Sequence, residues 1–234
     1  MFKINLSFDL LKYIKFSLFL LPFFLITGPL LAEILIFVCC IYYILDTLKK
    51  KRINFYHNKF NLGFFIFFIS INVSSIFSND FETSFFKSLF YIRFFLFFYF
   101  INTFFSSQDY KKFNVSIILA VVFVILDIFI QFTFGKDIFG YAPGMNGLRY
   151  QGPFGDEWIS GGYLKIFCII AVVFLFLNLK NNNKVKLSNI FILFSLLAIF
   201  LSGEKMAFIL FTLFIVLFYL TYIKNFLTTL CLFL

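Results

Sequence analysis

Long runs of Phe, Leu, Ile and Val alternate along the chain with short polar breaks, and the length of the runs sets the expected fold. Apolar runs of roughly 17 to 25 residues bounded by polar positions are the signature of helices that cross a bilayer. On this basis spans are predicted at about Leu11–Thr27, Leu30–Leu48, Leu62–Phe77, Ser88–Phe105, Asn114–Phe134, Gly161–Leu179, Asn189–Leu201 and Met206–Ile223. Gly28-Pro29 turns the first two into a tight hairpin. The first run has no Ala-x-Ala site after it, so it is expected to stay as a span rather than be removed as a signal peptide. The predicted architecture is an all-α polytopic transmembrane bundle of about eight full spans, residues 1–234 forming a single membrane domain. A further run, Phe226–Leu234, reads as the start of a ninth span. At 1.5 Å per residue it reaches about 13 Å, half of a hydrocarbon core, so the sequence is expected to be a fragment with further spans in its natural continuation.

Composition agrees with the pattern. Hydrophobic residues make up 62% of the 234 and charged residues 13%, whereas soluble domains sit near half and a quarter. The formal net charge of +9 does not point to nucleic acid, because the basic residues are scattered between spans instead of gathered on one soluble face. They set orientation instead. Cytoplasmic loops carry the excess of Lys and Arg, and with the N-terminus inside that side holds Lys3, Lys12, Lys15, Lys49 to Arg52, Lys59, Lys111, Lys112, Lys180, Lys184, Lys186 and Lys224. The loop at 135–160 and the turn at Ser202 then face outward, which for the inner membrane of a bacterium is the periplasm.

Cysteine chemistry is not indicated. Cys39, Cys40, Cys168 and Cys231 all lie in apolar runs, where they read as packing or lipid-facing residues rather than a disulfide framework or metal site. His57, the one histidine, stands in a basic cytoplasmic loop without a partner for a triad or a metal. No metal and no cofactor are expected.

Four polar side chains that interrupt the spans stand out. Arg93 and Asp127 sit at matched depth on consecutive antiparallel spans, the arrangement that makes buried ions tolerable, so an ion pair between them is expected beside the alternative that Arg93 snorkels to the interface. Gln131, one turn above Asp127, shares its face. Glu33, near the start of the second span, reads as an interface acid or a further member of this outward vestibule.

The densest polarity runs from Arg149 to Leu164: Arg-Tyr-Gln-Gly-Pro-Phe-Gly-Asp-Glu-Trp-Ile-Ser-Gly-Gly-Tyr-Leu. Non-helical backbone near a bilayer survives only where protein or water satisfies it, so this is read as a structured loop at a membrane face. Arg149 is the best anion ligand, since a guanidinium holds phosphate through two hydrogen bonds. Gly152 and Gly155 around Pro153 permit tight turns. Asp156 and Glu157 could accept sugar hydroxyls or a proton, and Trp158 could stack on a sugar ring. A solvated loop with an interfacial Trp fits the same residues.

These residues also carry a resemblance. Arg149-x-x-Gly152-Pro153-Phe154-Gly155-Asp156-Glu157, followed by Gly162-Tyr163-Leu164, resembles the loop signature of the O-antigen ligase and O-antigen polymerase superfamily of bacterial membrane glycosyltransferases. Leu201-Ser202-Gly203-Glu204-Lys205-Met206-Ala207-Phe208 is similar to that family's Ser-Gly-x-Arg turn opening a helix. The likeness covers about Leu11 to Ile223. It implies metal-independent transfer of a glycan from undecaprenyl pyrophosphate to an acceptor hydroxyl, on lipid A core for a ligase or on another lipid-linked repeat for a polymerase, in lipopolysaccharide or surface polysaccharide synthesis. Arg149 would match the family's loop arginine. Lys205 stands where the family has Arg, keeping the charge without the bidentate geometry. The family's catalytic His and further Arg would lie beyond Leu234. A transporter or channel with a polar outer vestibule, or a non-catalytic membrane scaffold, is the rival expectation.

Overall fold

The computed structural model describes residues 6–50, 59–177 and 182–233. His57, Lys51, Arg52 and Lys180 lie outside the described residues, as do the side chains of Lys184, Lys186, Lys224 and Cys231. The described chain is helical: α1 (Leu6–Phe19), α2 (Leu21–Thr27), α3 (Pro29–Lys50), α4 (Lys59–Ile76), α5 (Phe81–Leu89), α6 (Ile92–Phe104), α7 (Ser107–Phe134), the single turn α8 (Gly144–Gly147), α9 (Ser160–Leu177), α10 (Asn182–Leu201) and α11 (Lys205–Phe233). Among the described residues there is no strand, only one isolated antiparallel bridge between Gly144 and Arg149.

The helices coincide with the predicted apolar runs, but fewer than eight have the length and apolarity of a membrane span. Among the described residues Pro29–Lys50, Phe81–Phe104, Ser107–Phe134 and Ser160–Leu177 qualify, and a fifth is added if the bent pair Leu10–Phe19 and Leu21–Thr27 counts as one span. The apolar stretches Asn61–Ile76, Leu187–Leu201 and Lys205–Thr221 are shorter; at 1.5 Å per residue they reach roughly 22 to 26 Å, less than a 30 Å hydrocarbon core.

Element boundaries depart from the hydropathy pattern where polar residues favour helix. Ser106 and Asp109 form a reciprocal cap: the Asp109 carboxylate accepts the Ser106 N–H at 2.9 Å and its hydroxyl at 2.8 Å. This starts α7 seven residues before the predicted span. Glu82 lies in the first turn of α5, where an anion is favoured by the helix dipole, so helix begins ahead of the span predicted from Ser88. Residues 182–188, which precede the span predicted from Asn189, form the opening turns of α10. The predicted ninth span is not a separate element either, since α11 runs unbroken to Phe233; no Gly or Pro follows Lys224 to stop it.

The contacts group the chain into two compact units. The first holds Met1–Leu21 and Pro29–Tyr110, with α3 packed on α6 and α4 on α5. Its packing is aromatic. Phe64 stacks on Phe95 with centroids 4.7 Å apart, Tyr42 meets Phe104 edge-on at 5.3 Å, and the Tyr99 hydroxyl donates to Asn61 Oδ1 at 2.8 Å. Lys15 Nζ reaches the Asp109 carboxylate at 2.8 Å, tying α1 to the start of α7.

The second unit holds Pro22–Gly28 and Lys111–Leu234. In α7 the buried set Ile117, Ala120, Val121, Val124, Ile125, Ile128 and Gln131 recurs at helical spacing. Its apolar members form one core with Leu164, Cys168 and Ala171 of α9, Ala198 and Ile199 of α10, and Ala207 and Phe211 of α11. Small side chains at these contacts let the helix backbones approach closely. Cys39, Cys40 and Cys168 are buried, free thiols, packing residues rather than lipid-facing ones.

Candidate functional site

The polar loop that joins α7 to α9 is a built structure, held by side chains from the helices on either side of it. Gln131, fully buried at the end of α7, accepts the Gly152 N–H at 2.9 Å through Oε1 and donates through Nε2 to the Tyr141 carbonyl at 3.2 Å. Asp127, one turn earlier and also fully buried, accepts the Ile138 N–H at 2.8 Å. Asp137 accepts the Tyr141 N–H at 2.6 Å and Gln151 accepts the Gly144 N–H at 3.1 Å. Buried amide and carboxylate groups are costly unless hydrogen-bonded; here the loop backbone bonds both ends of the Gln131 amide and one oxygen of each carboxylate, while Asp127 Oδ2 and Asp137 Oδ2 are buried without a hydrogen-bond partner among the described residues.

Glycine is required where the loop crosses α7. Gly152 has φ +59°, and a Cβ there would lie 2.9 Å from Ile128 Cγ1. Gly155, at φ +61°, sits beneath the Tyr141 ring, whose nearest carbon would be 3.2 Å from an added Cβ. Between them Pro153 and Phe154 form one 3₁₀ turn, and Phe154 packs against Tyr163 with centroids 5.3 Å apart. The Tyr163 hydroxyl in turn donates to the Pro22 carbonyl at 2.8 Å.

The loop meets the Ser202-Gly203-Glu204-Lys205 turn between α10 and α11. The Tyr150 N–H donates to the Leu201 carbonyl at 3.2 Å, and the Arg149 side chain lies across Gly203, so that a Cβ there would be 2.7 Å from Arg149 Cγ. Gly203 has φ +73°, the left-handed conformation that ends a helix most cheaply when the residue is Gly. Glu204 then reaches sideways: its Oε1 accepts the Gly161 N–H at 2.8 Å in the first turn of α9. A carboxylate at that end compensates both the free N–H groups and the dipole of α9.

The predicted ligand residues fall as follows. Arg149 is half-buried, and its guanidinium carbon stands 5.0 Å from the Trp158 ring centroid, a cation–π distance. Among the described residues no side chain pairs with that guanidinium. Lys205, exposed at the start of α11, likewise has no anionic partner among the described residues. Asp156, Glu157 and Trp158 are exposed on the loop. A cleft of about 480 Å³ opens at Lys205, lined by Leu148, Tyr150, Phe200, Gly203, Glu204, Lys205, Phe208 and Ile209 among others. It is apolar except at its Glu204 and Lys205 end.

Arg93 and Asp127, expected to pair, each find a partner within their own unit. Arg93 instead makes a two-pronged ion pair with Glu33, at 2.6 and 2.9 Å, because α6 packs on α3; Asp127 is engaged by Ile138 as described. Glu33, Arg93 and the Cys40 thiol, which donates to the Arg93 carbonyl at 3.2 Å, form a polar patch within the first unit. Among the described residues no group of three or more His, Cys, Asp or Glu side chains could hold a metal ion. Three contributors were not singled out in the sequence: Glu204, Asp137 and Gln151. Only Glu204 carried a signal, as a charged residue just before a helix and just after a Ser-Gly turn.

Fold and site together define a helical protein with four to five helices long and apolar enough to cross a membrane, consistent with a membrane protein. No protein-family model matches the chain, nor does any curated protein or solved structure.

Proposed function

We propose that this is an O-antigen ligase- or polymerase-like protein of the bacterial inner membrane, which takes a glycan carried on undecaprenyl pyrophosphate at the periplasmic face. The observation that carries this reading is the meeting of Arg149 with Gly203. Two stretches some 50 residues apart, each resembling a motif of that superfamily, are packed into one site that carries an Arg and a Lys without an ion-pair partner among the described residues. Fixed cations of this kind suit a diphosphate: they bind it in the ground state and stabilise the negative charge that develops as the glycosyl bond breaks. Lys205 would act as a point charge and Arg149 as the planar, bidentate partner. The cleft alongside offers apolar walls to a lipid chain. Asp156, Glu157 and Trp158, exposed beside Arg149, would meet the sugar, and the acceptor would be a lipid A core hydroxyl or another lipid-linked repeat.

In this reading the shorter apolar helices cross the bilayer with the longer ones, giving about eight spans with the N-terminus inside, and the 135–160 loop faces the periplasm. The direct test is Arg149→Ala in cells that depend on the gene, with surface glycan display as the readout. Display is expected to fall while the protein stays in the membrane; unchanged display would reject the assignment. A tag inserted near Tyr150 is expected to be accessible from outside the cell, and accessibility only from the interior would reject the topology.

A further inference from the structure

The loop between α7 and α9 is inside-out relative to an ordinary surface loop. Loops in water leave many backbone groups to solvent and show polar side chains. Here the N–H groups of Ile138, Tyr141, Gly144, Tyr150 and Gly152 are all bonded within the protein, while Ile138, Phe139, Met145, Leu148, Trp158 and Ile159 stand exposed. Leu148 is 76% exposed and Phe139 61%. Irregular backbone is tolerated at membrane depth when protein satisfies its polar groups, and this loop meets that condition.

We propose that this loop lies in the lipid headgroup layer of one leaflet, with these apolar side chains dipping to the acyl boundary. Two further observations select a lipid surface as the occupant. The adjoining helix ends are apolar and exposed as well, at Phe132 and Phe134 of α7, just ahead of Ile138 in the chain, and at Met206 and Ile209 of α11, where Ile209 lines the same cleft as Leu148. The charged residues of the same region, Lys136, Asp156, Glu157 and Lys205, are also exposed, which keeps the loop at headgroup level, because charge deeper in the hydrocarbon is expensive. Trp158, half-exposed and amphipathic, suits that layer. The consequence is that the Arg149 site opens at lipid depth, so a ligand enters sideways from the leaflet rather than from bulk water. The inference rests on the membrane reading alone and not on glycan transfer.

Trp158 is the one tryptophan in the chain, so whole-protein fluorescence reports on this loop. The protein is reconstituted into phosphatidylcholine–phosphatidylglycerol vesicles with and without lipid brominated at shallow acyl positions, and titrated with iodide on both sides. Brominated lipid is expected to remove roughly half of the emission, and iodide to have little effect. The double variant Phe139→Asp, Leu148→Asp is expected to reverse both results. Emission that ignores brominated lipid and is quenched by iodide as freely as a small Trp peptide would overturn the proposal, whatever becomes of the variant. Arg149→Ala glycan display is an independent readout, so failure of the transferase reading and failure of this one remain distinguishable.

Discussion

Glu204 and Gly161 are 43 residues apart, yet the carboxylate of one accepts the backbone N–H of the other at 2.8 Å. The contact fastens the start of α11 to the start of α9, and with them the two stretches that carry Arg149 and Lys205. Removing the acceptor in Glu204→Ala leaves an N–H of α9 without its partner and an uncompensated helix end, a loss of about 1–2 kcal/mol. Glu204→Gln keeps an acceptor but not the charge and is expected to fall between wild type and Ala. Thermal unfolding in detergent orders the three; equal midpoints would show that the contact contributes nothing.

Gln131 closes the loop by using both ends of its amide. Gln131→Leu fits the volume but strands the Gly152 N–H and the Tyr141 carbonyl in a buried setting, at about 1–3 kcal/mol for each group left unpaired. Gln131→Glu can still accept from Gly152 but cannot donate to Tyr141, and it buries a charge. Both are expected to expose the 135–159 segment to limited proteolysis in detergent well below the global unfolding temperature. A protease-resistant Leu variant would refute the staple.

How much of this could be read from the chain differs between fold and site. The apolar run that forms α7 was legible as a span at Asn114–Phe134, but its buried stripe was not, because, Asp127 apart, the positions between Ile117, Val121, Val124 and Ile128 are equally apolar. Nor was its true start, because a hydropathy window cannot see the Ser106–Asp109 cap. The partner of Arg93 was misjudged for a related reason. Matching depth on consecutive spans proposes a neighbour in sequence, whereas helix packing brings Glu33 of α3 to α6. In the site, Arg149, Gly152 and Gly155 stood out by residue type alone. Glu204 did not, since a charged residue in a turn reads as solvated until the N-terminus of another helix is placed against it.

Gly152 and Gly135 separate two costs of glycine replacement. Both have positive φ, +59° and +72°, but an added Cβ at Gly152 meets Ile128 Cγ1 at 2.9 Å while at Gly135 nothing lies within 4 Å. Gly135→Ala should cost only the backbone strain, about 1 kcal/mol. Gly152→Ala adds overpacking against the core of α7, a further 1–3 kcal/mol or so. Denaturation midpoints measured side by side are expected to show Gly152→Ala as clearly the worse; the reverse order would contradict the packing of the loop on α7.

Gly203 links the backbone of one motif to the side chain of the other. A methyl group at this position would stand 2.7 Å from Arg149 Cγ and 3.3 Å from its Nε, with φ at +73°, so Arg149 has to leave its bed across the turn. Gly203→Ala is therefore expected to pull the guanidinium from the Trp158 ring, a contact of about 0.5–1 kcal/mol, in addition to about 1 kcal/mol of backbone strain. Because Trp158 is the sole tryptophan, its emission should shift in Gly203→Ala and in Arg149→Ala alike. If Arg149 binds the diphosphate, surface glycan display should fall in both variants, and Arg149→Lys, which keeps a charge but not the fork, should fall between Arg149→Ala and wild type. A Gly203→Ala protein that is well folded and unchanged in Trp158 emission would show that the turn does not position Arg149.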